Sequence, residues 1–175
     1  MEPTEVAKAA WFLGETRGFW IQTGAFFLSA LAAIFVIYHN GKLAKKRALI
    51  DLIIQQKSDQ NLITATRRVY ELQDCGNHLS SLVGTDTEDR RIVLQVLNNQ
   101  EFIAVGIRLG AFDETVYKQL QFNNIVKLWS ATSGFIHELR KIDARTTLFQ
   151  DFECLAKRWE NSPIKKIKLG LTQTP

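Results

Sequence analysis

Residues 18–38, GFWIQTGAFFLSALAAIFVIY, contain no charged side chain and no proline. As a helix rising about 1.5 Å per residue, the run is about 30 Å long, the thickness of a bilayer's hydrocarbon core. It therefore reads as a single transmembrane helix. A buried helix of a soluble protein carries a polar stripe at helical spacing. Here the polar residues are Gln22, Thr23 and Ser29, and the first two lie near the start. A cleaved signal peptide wants a basic leader and an apolar stretch of roughly 7–15 residues. The leader, residues 1–17, instead holds Glu2, Glu5 and Glu15 against Lys8 and Arg17. The apolar run also continues through IFVIY, past the small residues between Ser29 and Ala33.

The flanks set an expected orientation. After the span come Lys42, Lys45, Lys46 and Arg47 with no acid among them, whereas the leader's side chains sum to −1. The positive-inside rule then puts the C-terminal side in the cytoplasm and the N-terminus outside the inner membrane. Trp11, Trp20 and Tyr38 stand where interfacial aromatics are expected. Trp11 and Phe12 could open a brief interfacial helix ahead of the span. Ala25, Ser29 and Ala33 repeat every fourth residue, a face of small side chains that lets two helix backbones approach in lipid and form a homo-oligomer.

The formal charge is +4, and its placement matters more than its size. Residues 42–47 contribute +4 and residues 163–175 contribute +3, from Lys165, Lys166 and Lys168, while residues 48–162 sum to −2. A basic chain often points to nucleic acid. Here one basic cluster abuts the bilayer, so anionic headgroups are the expected partner and nucleic acid is not. The tail, in which those lysines alternate with Ile164, Ile167, Leu169 and Leu171, is expected to be loose and to dock on the inner leaflet. Cys75 and Cys154 both fall on the cytoplasmic side, where thiols stay reduced and no disulfide is expected.

Helical periodicity fills the region after the span, and no segment shows sustained β-type alternation. Residues 42–57 carry Leu43, Ile50, Ile53 and Ile54 on one side. Asn40-Gly41 either breaks this helix from the span or is passed through. Residues 61–74 face inward with Leu62, Ala65, Val69 and Leu72, behind Ser58 or Asp59 as cap. Residues 75–86 read as a loop or short turn. Thr85-x-x-Glu88 has capping-box spacing before a helix through Ile92, Val93, Val96, Leu97, Ile103 and Ile107, stopped at Gly110. Asp113 caps a helix to about Ile142, with Val116, Leu120, Ile125, Trp129, Ile136 and Leu139 inward. Thr147-x-x-Gln150 opens a last helix on Phe149, Phe152, Ala156 and Trp159, ended by Asn161-Ser162-Pro163. The expected fold is all-α: leader 1–17, transmembrane helix 18–38, a cytoplasmic domain 42–162 of about five bundled helices, and a basic tail 163–175.

Candidate chemistry is sparse. His137-Glu138-Leu139-Arg140-Lys141 begins like a zinc-protease HExxH, but Lys141 stands where the second histidine must be. Cys75-x-x-His78 has the spacing of half a zinc site, and its other half would need Cys154 and His137, scattered singly. Neither a metal nor a cofactor is expected. The distinctive segment is 97–114, LNNQEFIAVGIRLGAFDE, which sets Asn98, Asn99, Gln100 and Glu101 in the middle of an apolar helix. Asn98, Glu101 and Arg108 either form a polar binding groove or belong to a buried network that fixes helix register or caps a corner. Gly106 and Gly110 leave room for a neighbouring helix.

This segment, continued as LNNQEFIAVGIRLGAFDETVYK, together with the preceding span and basic helix, resembles a family of small bacterial and phage membrane-anchored proteins. That family is catalogued as a domain of unknown function. The resemblance covers most of residues 18–160. It implies an all-helical cytoplasmic domain and a prophage origin, and brings no activity or catalytic residue. The expected function is non-catalytic: a tethered domain that binds a protein partner at the inner membrane. The alternative is an effector of the phage-immunity or superinfection-exclusion kind, acting on the membrane through oligomerised spans.

Overall fold

Helix α1 runs unbroken from Arg17 to Ser58, straight through Asn40-Gly41. Gly41 costs a helix interior only about 1 kcal/mol, and Asn40 is a mild helix former, so neither stops a helix already nucleated on both sides. The apolar run and the helix expected to follow it are thus one element of 42 residues. The computed structural model describes residues 17–74 and 79–164. The leader with Trp11 and Phe12, the Cys75-x-x-His78 spacing, and the tail lysines 165, 166 and 168 lie outside those residues.

The chain divides into two units, residues 1–44 and 45–175. In the first, α1 is long and apolar enough to cross a membrane, and its most apolar 18-residue window has no side chain buried against protein. Ala25, Ser29 and Ala33 are all exposed. The Ser29 hydroxyl donates to the Ala25 carbonyl at 2.8 Å, so this face presents no unspent donor. Lys42 Nζ lies 4.4 Å from the centre of the Tyr38 ring, a cation–π contact at the polar end of the apolar run.

The second unit is built from the end of α1, α2 (Gln60–Asp74), a short 3₁₀ turn (Leu79–Leu82), α3 (Glu88–Arg108), α4 (Glu114–Asp143) and α5 (Gln150–Asn161). The described residues contain no strand. The fold is all-α. Inward periodicity was legible for α2, α3 and α5, whose expected apolar residues are buried or half-buried. It was misread in two places. Leu49 and Ile53 carry α1 into the core, while Leu43, Ile50 and Ile54 stay exposed. On α4 the core face passes through Tyr117, and Leu120 is 54% exposed. The buried stripe of α4 runs from Tyr117 through Ile125, Leu128 and Leu139, and at about 100° per residue Leu120 falls beyond Tyr117 at its outer edge.

Cap chemistry explains where the helices start. Asp59 Oδ1 accepts from the amides of Asn61 (2.9 Å) and Leu62 (3.1 Å). Asp113 Oδ1 accepts from Val116 N at 3.1 Å. The expected Thr85 box is displaced by two residues. Thr85 Oγ1 donates to Leu82 O at 2.8 Å and closes the 3₁₀ turn, and Thr87 caps α3 by accepting from Arg90 N. The Thr147 box does not form. Phe149 occupies the cap position of α5 with φ 56° and no side-chain cap of its own, because its ring, buried in the core, carries no hydrogen-bond acceptor.

The corner after α3 is closed by Gly110 at φ 69°. Gly110 N bonds to Ile107 O at 3.0 Å and Ala111 N to Gly106 O at 2.8 Å, the paired bonds of a Schellman stop. Gly106 accommodates the ring of Phe112 folded back from this corner, rather than a neighbouring helix. A methyl at position 106 would overlap that ring. Gly106→Ala should therefore cost about 1–3 kcal/mol despite the better helix propensity of alanine. Urea titration of Gly106→Ala and of Gly106→Ala/Phe112→Ala checks this: the double variant should lose less than the sum of the singles.

Arg140 ties α4 to α5. It donates to Leu148 O at 2.8 Å and to Glu153 Oε2 at 2.6 Å, and both charged side chains are only 14% exposed. Burial pushes the Glu153 carboxyl up, but hydrogen bonds from Lys157 and Arg140 outweigh it and hold the group below the usual carboxylate value. A carboxyl whose folded pKa is depressed contributes stability above its unfolded pKa of about 4.3, lost as pH falls through the lower folded value. Unfolding midpoints taken from pH 5 down to pH 2.5 should fall more steeply in the wild type than in Glu153→Gln. Parallel curves would remove Glu153 from the acid response.

Candidate functional site: an amide-lined groove

Residues of α1, α2, α3 and α4 line a groove of about 610 Å³. Its floor is the polar middle of α3, and the last turns of α1 close one side. Leu62, Ile63 and Tyr70 of α2 and Ile125 and Leu128 of α4 supply apolar walls. Lys127 Nζ lies 4.5 Å from the centre of the Tyr70 ring, and burial pushes the Tyr70 hydroxyl pKa up, keeping it protonated.

Five carboxamides line the groove: Gln56, Asn99, Gln100, Gln121 and Asn124. Their bonds to neighbours are directional. Gln56 Nε2 donates to Asn99 Oδ1 at 3.1 Å. The Tyr117 hydroxyl donates to Gln100 Oε1 at 3.2 Å. Asn124 Nδ2 donates to Gln121 Oε1 at 2.7 Å. Tyr117 is itself buried, which drives its pKa far up and keeps that proton in place. Asn99 Nδ2 is a buried donor with no acceptor, a state that costs about 1–3 kcal/mol. Lys57 and Arg67 are the charged groups of the lining, and both are exposed.

The residues singled out from sequence fall elsewhere. Glu101 and Arg108 meet at the start of α5. Glu101 accepts from Asp151 N at 3.2 Å and from Phe152 N at 2.7 Å, and Arg108 Nε donates to Asp151 Oδ1 at 2.7 Å. This is the cap that Phe149 cannot provide, supplied by a helix about 50 residues earlier. Asn98 is exposed and takes no part in it. Lys42, Lys45, Lys46 and Arg47 are exposed along α1, with the Lys45 ammonium beside Gly110. Cys154 is a free, exposed thiol.

Sequence reasoning marked Asn99 and Gln100 as polar residues of an apolar helix but left them out of the expected groove, although a signal was available. Asn99 stands three residues after Val96 and four before Ile103, so helical phase alone places it on the inward side. Gln56 likewise stands three residues after the buried Ile53, and Asn124 four residues before the buried Leu128.

No curated protein and no solved structure matches this chain. Residues 23–159 match the family described as Domain of unknown function (DUF4760), a stretch that takes in most of α1, the whole groove and α5 as far as Trp159. The chain belongs to the DUF4760 family.

Proposed function

We propose that this is a single-span membrane protein whose helical domain acts as a non-catalytic module, holding a protein partner at the inner face of the membrane. The observation that carries the reading is α1. Its apolar stretch has no protein cover, and each large apolar side chain left in water forgoes about 1.5–3 kcal/mol of burial. A bilayer relieves that cost. The same helix continues to Leu49 and Ile53, which are buried in the core of the domain that follows. Lys42, Lys45, Lys46 and Arg47 favour an orientation with that domain in the cytoplasm and suit anionic headgroups. For a protein partner, Phe102 of α3 and Leu109, which caps its C-terminal end, are 60% and 68% exposed.

A second reading rests on the small-residue face. Ala25, Ser29 and Ala33 are exposed with the serine hydroxyl already satisfied, which suits close packing of two spans. On that reading the protein acts on the membrane itself, as a phage-excluding effector would.

Two measurements test these readings. With Cys75 and Cys154 replaced by serine, an impermeant thiol reagent on intact cells should label a cysteine at Thr4 and spare one at Ser162. The reverse pattern would overturn the orientation. Crosslinking in membranes should then give a discrete adduct that Phe102→Ser/Leu109→Ser abolishes. An adduct that survives this change but disappears in Ala25→Leu/Ser29→Leu/Ala33→Leu would favour the second reading.

A further inference from the structure

We infer that the groove between α2 and α4 binds a small amphiphilic anion, one carboxylate or phosphate on an apolar body. The inference stands apart from membrane topology and from any protein partner. It follows from which hydrogen-bonding capacity has been used. Asn99, Gln100 and Gln121 each have their carbonyl oxygen engaged by a neighbour's donor. What each has left is its NH₂ group. Two of these groups, on the adjacent residues 99 and 100, belong to the floor, and the buried Asn99 Nδ2 has no acceptor at all.

The charges of the lining have the same sense. Lys57 and Arg67 are both cationic, and among the described residues no carboxylate lines the groove. Arg67 pairs with Glu71 at 3.5 Å on the exposed face of α2, and Glu71 is not part of the lining. A site rich in spare donors and cations complements an acceptor-rich anion, because hydrogen bonds to an ionised group are roughly twice as strong as neutral ones. The walls of Leu62, Tyr70 and Ile125 call for an apolar body behind the head, and about 610 Å³ lies within the usual range for small-molecule sites. A purely structural role would be met more cheaply by apolar side chains at positions 99 and 100, since an unmatched buried donor is a net cost.

The test uses the full chain in nanodiscs of neutral lipid, titrated calorimetrically with four probes. Phenyl phosphate and phenylacetate carry both halves of the expected ligand. Inorganic phosphate carries the anion alone, and benzyl alcohol the ring alone. At least one of the two amphiphilic anions should bind about tenfold or more tighter than both half-probes, and their ranking identifies the head group as phosphate or carboxylate. Lys57→Gln/Arg67→Gln changes two exposed residues and should leave the unfolding midpoint unchanged. It should weaken binding about tenfold, the sum of two exposed charge contacts. Benzyl alcohol binding as tightly as the anions, affinity unchanged in the double variant, or no heat from any probe would each overturn the inference.

Discussion

Exchanging Trp159 for alanine is expected to lower the stability of the helical domain by about 4 kcal/mol, near the upper end for loss of a buried aromatic. Trp159 is fully buried, with ring centres 5.7 Å from Tyr117 and 6.2 Å from Phe122. Its indole N–H donates to Glu114 Oε1 at 2.9 Å. The alanine variant therefore opens a cavity and also deprives Glu114 of a partner, leaving Arg158 alone on that carboxylate. Trp159→Phe separates the two contributions, since it restores much of the volume but not the donor, and should cost about half as much. Helical circular dichroism followed through a urea titration is the measurement. For a domain of this length the alanine variant's thermal midpoint should drop on the order of 15 °C. A loss below about 1 kcal/mol would show that α5 does not belong to the cooperative core.

Glu101→Ala should be the next most damaging change, at about 2–3 kcal/mol. Its carboxylate takes two backbone donors from the first turn of α5, and a hydrogen bond to a charged group contributes about 1.5–3 kcal/mol net of the water bonds it replaces. The carboxylate also stands at the positive end of the helix dipole. Glu101→Gln keeps one acceptor and loses the charge, so it should fall between wild type and alanine. The same titration distinguishes capping from mere packing: a packing role predicts that glutamine behaves as wild type. Amide exchange adds a local readout, because Asp151 and Phe152 should lose protection before the amides of α3 do.

These two residues also show what a single sequence makes legible. Trp159 was readable because Phe149, Phe152, Ala156 and Trp159 repeat at helical spacing, and such a stripe has only one stable destination. Glu101 was visible as an acid misplaced in an apolar helix, but its partner was not. Capping rules look three residues ahead, and at Thr147 they found a local candidate. The real acceptor lies about 50 residues upstream, and no local pattern records such a pairing. The groove was hidden for a related reason. Its floor is legible in the phase of Asn99, yet its walls come from α2 and α4, and the placement of those two helices is a property of packing rather than of either helix's sequence. Continuity through Asn40-Gly41 was undecidable for a different cause: the energies of breaking and continuing differ by only about 1 kcal/mol.

The dependence of α5 on distant acids sets an order of events during synthesis. Helices of 12 residues are marginal on their own in water, and α5 carries an aromatic at its own start instead of a cap. Its partners, Glu101 and Glu114, have left the ribosome long before it. Until residue 159 emerges, the nascent chain has those two carboxylates unpaired and the facing core of α3 and α4 open to solvent. Closure is therefore a late, long-range step that waits for Trp159.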